Sequence, residues 1–467
     1  MPNKLSACTS ILIGKKASID GSIMIGRNED AKAAWPKHMV VHPHGAVPRK
    51  FVSKETKLEI ELPDDSARYS ATPEWTDKYG LFEEDGINEY NVAMSATESA
   101  YSNSLVLGAD PLVKNGLNEE AMVTVVLPFV KTAREGVLRL GNLIAKYGTG
   151  ETNGVLFADD NEAWYFESGA GHYWVAQRIP DDCYAVVANQ LAIQEIDFND
   201  PNNFMFHPGI REFVEKNHLN PDPTTFNFRK IFGTADQSDA IYSEPRVWIG
   251  HQMFSSHQAK GETPESTELP FLMKPDRLLS VIDAQNYLSN HYEGTGFDPL
   301  TNSPSAHKYR PISLAKTQES HILQTGRKGP DIHWLAMGVA NESTYVPFFN
   351  GITKLPAAYG RGKLPAQLNS AYWIFKHASV LVDSHLHDFL PLLRDVQKER
   401  NAAAQKLIRE TDNKAAALQG DASTDYLNDQ SDKFANDTLT AYRNLAMELI
   451  TKMTDYCELN FKTDENL

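Results

Sequence analysis

Ala7-Cys8-Thr9-Ser10-Ile11-Leu12-Ile13-Gly14, followed by Ser18-Ile19-Asp20-Gly21-Ser22 and Gly26-Arg27-Asn28-Glu29-Asp30, is the stretch that decides the fold of this chain. Two apolar runs, Ala7 to Ile13 and Ser22 to Arg27, flank a polar turn containing Lys15-Lys16 and Asp20-Gly21. Such runs around such a turn read as a hairpin of antiparallel strands, which brings Arg27 to Asp30 back beside Cys8. The position of the cysteine adds a chemical option. With Met1 to Ala7 removed, Cys8 would carry a thiol and a free α-amine on one carbon. An α-amine with a pKa of about 8 is partly neutral near pH 7 and can take the thiol proton, whereas an internal cysteine needs a separate base. Cys8 also reads as a small apolar side chain filling a core strand, the commoner fate of a free cysteine.

The whole chain of 467 residues is 41% hydrophobic, enough for a large core. It has no run of about 18 apolar residues and no secretory-type apolar segment at Met1 to Ala7, so a cytoplasmic, non-membrane protein is expected. The formal net charge of -16, with no basic stripe, argues against nucleic acid as a partner. Cys8, Cys183 and Cys457 are scattered, which suggests neither a disulfide framework nor a thiolate zinc site. His38, His42 and His44 lack a matching carboxylate or cysteine set, and the glycines form no phosphate-binding loop, so no metal and no cofactor is expected.

Strand signals continue at Met39 to His42, Lys57 to Leu62 and Asn91 to Ala96. From Asn118 to Tyr147 the apolar period becomes helical, with an interruption expected near Ala133 to Gly136. Strands return at Gly154 to Ala158, Ala163 to Glu167, Tyr173 to Ala176 and Tyr184 to Ala188, and later at Ile332 to Met337 and Tyr345 to Phe349. This order suggests a layered α+β core. Between about Asn199 and Pro311 the chain reads as an irregular insertion, with helical pieces at Pro208 to Lys216 and Asp276 to Tyr292. Two long helices, Leu368 to Leu418 with Pro391 kinking it and Thr424 to Leu459, form a hairpin expected to pack back on the core.

Cys8-Thr9 with Arg27-Asn28-Glu29-Asp30 on a hairpin resembles the cysteine type of N-terminal-nucleophile hydrolase, the superfamily of penicillin V acylase and bile salt hydrolase. Within it the chain is most similar to the dipeptidase A family of lactic acid bacteria. Ser18 to Ser22, Gly171-His172, Ile179-Pro180-Asp181-Asp182, Ala188-Asn189-Gln190 and Pro245-Arg246-Val247-Trp248 fall in that family's order along nearly the whole chain. The resemblance implies a four-layer αββα sandwich. The expected organisation is a propeptide over 1–7, a hydrolase core over 8–365 with its insertion at 199–311, and a helical hairpin over 366–467. It implies a peptidase that cleaves dipeptides of broad composition through a thioester on Cys8, with a homo-oligomer possible in the family.

Cys8, Arg27, Asp30, Asn189 and Arg246 are the candidate catalytic residues. A guanidinium beside a thiol stabilises thiolate, although Arg27 could instead pair with Glu29 or Glu83. By the resemblance Asp30 holds the freed α-amine; otherwise it is a turn or cap residue. Asn189 ends a strand, where its amide could donate to a tetrahedral oxyanion or simply shape a turn. Arg246 matches the superfamily's later arginine and could support the thiolate or clamp a substrate carboxylate. Where bile salt hydrolases carry an oxyanion asparagine, this chain has Asn88-Glu89-Tyr90-Asn91 and then Ser95-Ala96-Thr97-Glu98, so the second donor is left open, with Thr97 and a backbone amide among the candidates. Two alternatives stand beside the dipeptidase. One is an acylase of the same chemistry, which needs a large apolar pouch, and the other is a non-catalytic helical scaffold. A dipeptidase needs partners for a free ammonium and carboxylate, for which Glu98, Glu167 and Arg246 are candidates.

Overall fold

The computed structural model describes residues 8–456, so the expected propeptide, Cys457 and the end of the last expected helix lie outside the described residues. The chain opens with β1 (Thr9–Ile13), β2 (Ile23–Asp30), β3 (Val40–His42), β4 (Lys50–Val52), β5 (Glu59–Glu61), β6 (Tyr69–Ala71), β7 (Asp85–Ile87) and β8 (Ala93–Ala100). Helices α1 (Ser104–Ala109), α2 (Glu119–Val126) and α3 (Ala133–Tyr147) precede β9 (Thr152–Ala158), β10 (Ala163–Gly169), β11 (Tyr173–Ile179), β12 (Tyr184–Val187) and β13 (Phe204–Phe206). Next come α4 (Ile210–Lys216), α5 (Phe228–Phe232), α6 (Gln237–Tyr242), α7 (Glu244–Phe254) and α8 (Val281–Leu288), then β14 (Thr317–Thr325), β15 (Ile332–Met337) and β16 (Val346–Phe349). Helices α9 (Ala371–Ser384), α10 (Leu386–Ala415) and α11 (Asp421–Met453) complete it.

The opening hairpin forms for a local reason. Asp20 turns the chain by accepting hydrogen bonds from the Ser18 hydroxyl (2.8 Å) and from both the backbone N–H (3.1 Å) and hydroxyl (2.6 Å) of Ser22. Gly21 takes the positive φ of 78° that the turn requires. The strands then pair antiparallel with Ser10 opposite Arg27.

Two six-stranded sheets result, ordered β12-β1-β2-β14-β15-β16 and β13-β11-β10-β9-β8-β7, with every pairing antiparallel. Alternation along the strands shows four layers. Leu12, Ile23, Ile25 and Leu323 of the first sheet share one buried cluster with Leu156, Ala158 and Tyr165 of the second. Their neighbours Ile11, Ile13, Met24 and Ile322 point the other way, into a cluster with α8 to α11. On the second sheet Val155, Phe157, Trp164 and Phe166 point outward onto α2 and α3. The αββα sandwich is therefore present, and both sheets are apolar on both faces because each is covered twice.

Some elements differ from expectation. The helical stretch is interrupted at 127–132 rather than near Ala133, because Pro128 lies in a 3₁₀ turn and Thr132 caps α3 by accepting from the Glu135 N–H. The helix expected over Asp276 to Tyr292 is only α8, capped by a reciprocal Ser280–Asp283 box. The first C-terminal helix divides at His385, whose backbone leaves helical space (φ −142°, ψ 58°), while Pro391 lies within α10. The hairpin is thus α10 with α11, and α9 is a separate helix packed on both. Strand β14 and helix α7 were not expected. The first is too polar to read as a central strand, and the second carries Pro245 in its first turn inside a stretch that reads as irregular. No helix among the described residues is long and apolar enough to cross a membrane.

Candidate active site

Register places the candidate nucleophile. β1 pairs with β2 on one side and β12 on the other, so continuing Thr9↔Asn28 and Ser10↔Val187 by one and two residues sets Cys8 opposite Glu29 and Asn189. By alternation Cys8, Arg27 and Asn189 lie on the face turned to the second sheet, as Leu12, Ile25 and Val187 do. Thr9 and Asp30 lie on the face turned to the helices.

Cys8 is buried, at 6% exposure, with its Sγ 3.3 Å from Nη1 of the fully buried Arg27. Burial pushes the thiol above its ordinary pKa, and the Arg27 charge opposes that shift. Arg27 is held on its other atoms: Nη2 pairs with Glu84 at 2.6 Å and Nε donates to Ser95 Oγ at 2.9 Å. Its partner is therefore Glu84, not Glu29 or Glu83. Glu29 pairs with the buried Lys37 at 2.9 Å, and Glu83 accepts from Tyr69 and Thr124 and faces His42. The backbone N–H of Asp30 and the otherwise unpartnered hydroxyl of Thr97 both face the sulfur.

Asn189 sits just past β12. Its Oδ1 accepts from Arg246 Nη2 at 2.6 Å, while its Nδ2 is buried with no partner. A buried amide donor left open is costly unless something else accepts from it. Arg246 comes from α7 in the helical layer. Its Nη1 donates to the Cys8 carbonyl (2.9 Å) and to Thr9 Oγ1 (2.8 Å), and its Nε donates to the Tyr242 carbonyl (2.9 Å). So occupied, it positions Cys8 and Asn189 and is not placed as a clamp for a substrate carboxylate. Asp30 receives Arg310 on one oxygen and the Thr317 hydroxyl on the other. Burial raises its pKa, and Arg310 works against that shift.

Sequence reading missed Glu84, Ser95, Arg310 and Thr317. Arg310 closes the insertion at 199–311, and nothing in its local pattern distinguishes it from a surface arginine. Of the remaining expected candidates, Glu167 is buried and accepts the backbone N–H groups of Ala192 (2.7 Å) and Ile193 (3.1 Å). It shapes the loop after Asn189 instead of facing a substrate. Asn88 donates to the Leu127 and Val130 carbonyls, both at 2.8 Å, and is a turn residue. His42 and His44 go to separate carboxylates, Glu83 and Glu89. Behind Arg27, Ser95 also meets His321 Nε2 at 3.0 Å, and His321 Nδ1 faces Glu319 at 2.9 Å and Asp85 at 3.2 Å. Asp85, Glu319 and His321 are the one set among the described residues whose ligand-type atoms lie within 4.8 Å of one another. His321 is thereby set between Ser95 and these carboxylates behind Arg27.

A family model described as "Peptidase family C69" matches residues 7–399. The chain is 46% identical to a protein of Latilactobacillus sakei named "Probable dipeptidase", over 99% of both chains. It is 38% identical to "Probable dipeptidase B" of Lactococcus lactis subsp. lactis (strain IL1403) and 36% identical to "Dipeptidase A" of Lactobacillus helveticus, covering 97% of each pair. Among solved structures, a variant of conjugated bile acid hydrolase from Clostridium perfringens matches with a TM-score of 0.33 at 12% identity, covering 71% of this chain and 89% of that one. The family model covers both sheets and the site between them, and the relatives match over almost their full length. The chain belongs to peptidase family C69, and is a hydrolase of peptide bonds.

Proposed function

We propose that the protein is a dipeptidase whose nucleophile is Cys8, exposed as an amino-terminal residue by removal of Met1 to Ala7. The observation that carries this reading is the pairing of the Cys8 sulfur with Arg27 at 3.3 Å, opposite a buried amide donor on Asn189 that no protein group uses. The freed α-amine takes the thiol proton, and the sulfur attacks the carbonyl carbon of the first residue. Charge collects on that carbonyl oxygen, where Asn189 Nδ2 donates, with Thr97 placed for a second contact. The tetrahedral intermediate collapses, the C–N bond breaks, and the ammonium formed at Cys8 returns its proton to the leaving amine. A thioester remains. Water, deprotonated by the same α-amine, attacks the thioester, releases the first residue as a carboxylic acid and restores the thiol.

In this reading Asp30, fixed by Arg310 and Thr317, accepts a hydrogen bond from the α-amine and keeps it beside the sulfur. Arg27 stabilises thiolate against the effect of burial. Substrates are dipeptides, in keeping with the relatives' names, and in this reading of broad composition. The test is intact mass spectrometry of the purified protein with and without Cys8→Ser, alongside hydrolysis of a simple dipeptide. Loss of Met1 to Ala7 from the wild type, with activity abolished by the substitution, is the expected result. A wild type that keeps Met1 to Ala7, together with a Cys8→Ser variant that hydrolyses the dipeptide at the same rate, would overturn the mechanism.

A further inference from the structure

Carboxylates gather on one side of the Cys8 thiol without a matching number of cations. Glu84 gives one oxygen to Arg27, but its Oε1 is buried and has no partner, in a residue only 1% exposed. Glu119, the first residue of α2 and half-buried, lies within electrostatic reach of Glu84, Cys8 and Arg27. Glu151 adjoins Glu119 and caps its helix, accepting the Glu119 backbone N–H on Oε2 at 2.8 Å. Neither Glu119 nor Glu151 forms an ion pair with a lysine or arginine among the described residues. Burial and the neighbouring carboxylates raise both pKa values, that of Glu151 to about 8.

A cationic group in that recess would relieve this arrangement, and the proposed chemistry supplies one at the right place. In a dipeptide the α-ammonium sits on the carbon next to the carbonyl that Cys8 attacks, so it must lie within a few ångströms of the sulfur. We infer that Glu84 Oε1, Glu119 and Glu151 form the subsite that receives the α-ammonium of the substrate's first residue. The inference rests on the dipeptidase reading and names the side chains that meet the free amino terminus such a substrate carries. An acyl group in place of the ammonium leaves the buried oxygen of Glu84 unpartnered and the carboxylates opposed to one another.

The test compares kcat/KM for leucyl-alanine and N-acetyl-leucyl-alanine on the mature wild-type enzyme, and for leucyl-alanine on Glu119→Gln and Glu119→Asp. Iodoacetamide labelling of Cys8 reports whether each variant keeps an intact site. Acetylation is expected to cut kcat/KM at least 100-fold. Glu119→Gln should cut it at least tenfold, mainly through KM, with Glu119→Asp recovering part of the loss. Equal cleavage of the acetylated and free dipeptides, or a Glu119→Gln enzyme within twofold of wild type, overturns the subsite and leaves the dipeptidase reading standing. A wild type that is labelled at Cys8 but cleaves neither compound overturns the dipeptidase reading, and the subsite with it. The wild-type comparison stands even if a Glu119 variant does not fold.

Discussion

Replacing Asn189 tests the most specific part of the proposed mechanism. Its Nδ2 is buried without a partner in the resting enzyme, so the cost of desolvating that donor, about 1–3 kcal/mol, is already present before substrate arrives. When the oxyanion forms, the donor gains a charged acceptor without having to move. Removing one such donor costs about 3–4 kcal/mol in the transition state, which is roughly 10²–10³ in kcat. Asn189→Ala should therefore lower kcat by about that factor, with KM nearly unchanged, because the ground-state carbonyl makes less of the contact. The alanine variant also deprives Arg246 of the acceptor it meets at 2.6 Å, so Asn189→Asp is the necessary companion. It keeps an oxygen for Arg246 and puts a carboxylate oxygen, which cannot donate to an oxyanion, in place of the donor. Steady-state kinetics on a dipeptide, with thermal unfolding to compare stabilities, provides the assay. If Asn189→Asp retains kcat within about fivefold of wild type, Asn189 is not the oxyanion donor and the reasoning from its open amide is refuted.

One buried histidine should make the fold sensitive to mild acid. His321 is fully buried, and burial lowers its pKa from 6.5 to about 4. The unfolded chain then takes a proton on this residue below about pH 6.5 that the folded chain refuses until about pH 4. Stability is unaffected above that window and falls by roughly 3 kcal/mol across it, at about 1.4 kcal/mol per pKa unit. Urea titrations at pH 7.5, 6 and 5 should show the decline, with a shallower slope in His321→Asn; identical slopes in the two proteins would count against it. Gly141→Ala should destabilise α3, although alanine is the better helix former by about 1 kcal/mol. A Cβ there would lie 2.3 Å from the Trp174 ring, and such overpacking costs about 1–3 kcal/mol. An unchanged or higher unfolding midpoint would show that the indole can shift.

Several features of the protein are determined by short stretches of sequence. The Asp20-Gly21 turn closes within a few residues, and strand pairing follows from it, so the hairpin and the approach of Arg27 to Cys8 are legible before any tertiary contact is known. The strands of the second sheet and the helices covering it are also readable, because their apolar residues repeat with the period of the element they form. Asn189 is recognisable as a strand-end amide for the same reason. Strand β14 is not: Thr317-Gln318-Glu319-Ser320-His321 resembles a loop, and it becomes a central strand because the polar side chains find partners inside the sandwich.

Only the tertiary structure decides which charges meet. Glu84 rather than Glu29 or Glu83 takes Arg27, Lys37 takes Glu29, Arg310 reaches Asp30 from the end of the insertion, and Glu167 turns out to hold a loop. A charged side chain is recorded in the sequence by type alone. Its partner depends on how distant segments are brought together, and the penalty for burying a charge then makes each pairing specific. The thiol and its arginine are close along a hairpin and could be read directly. The amide that faces them, the arginine that holds both and the carboxylates beside them come from segments far apart in the chain, and only the packed sandwich brings them to one site.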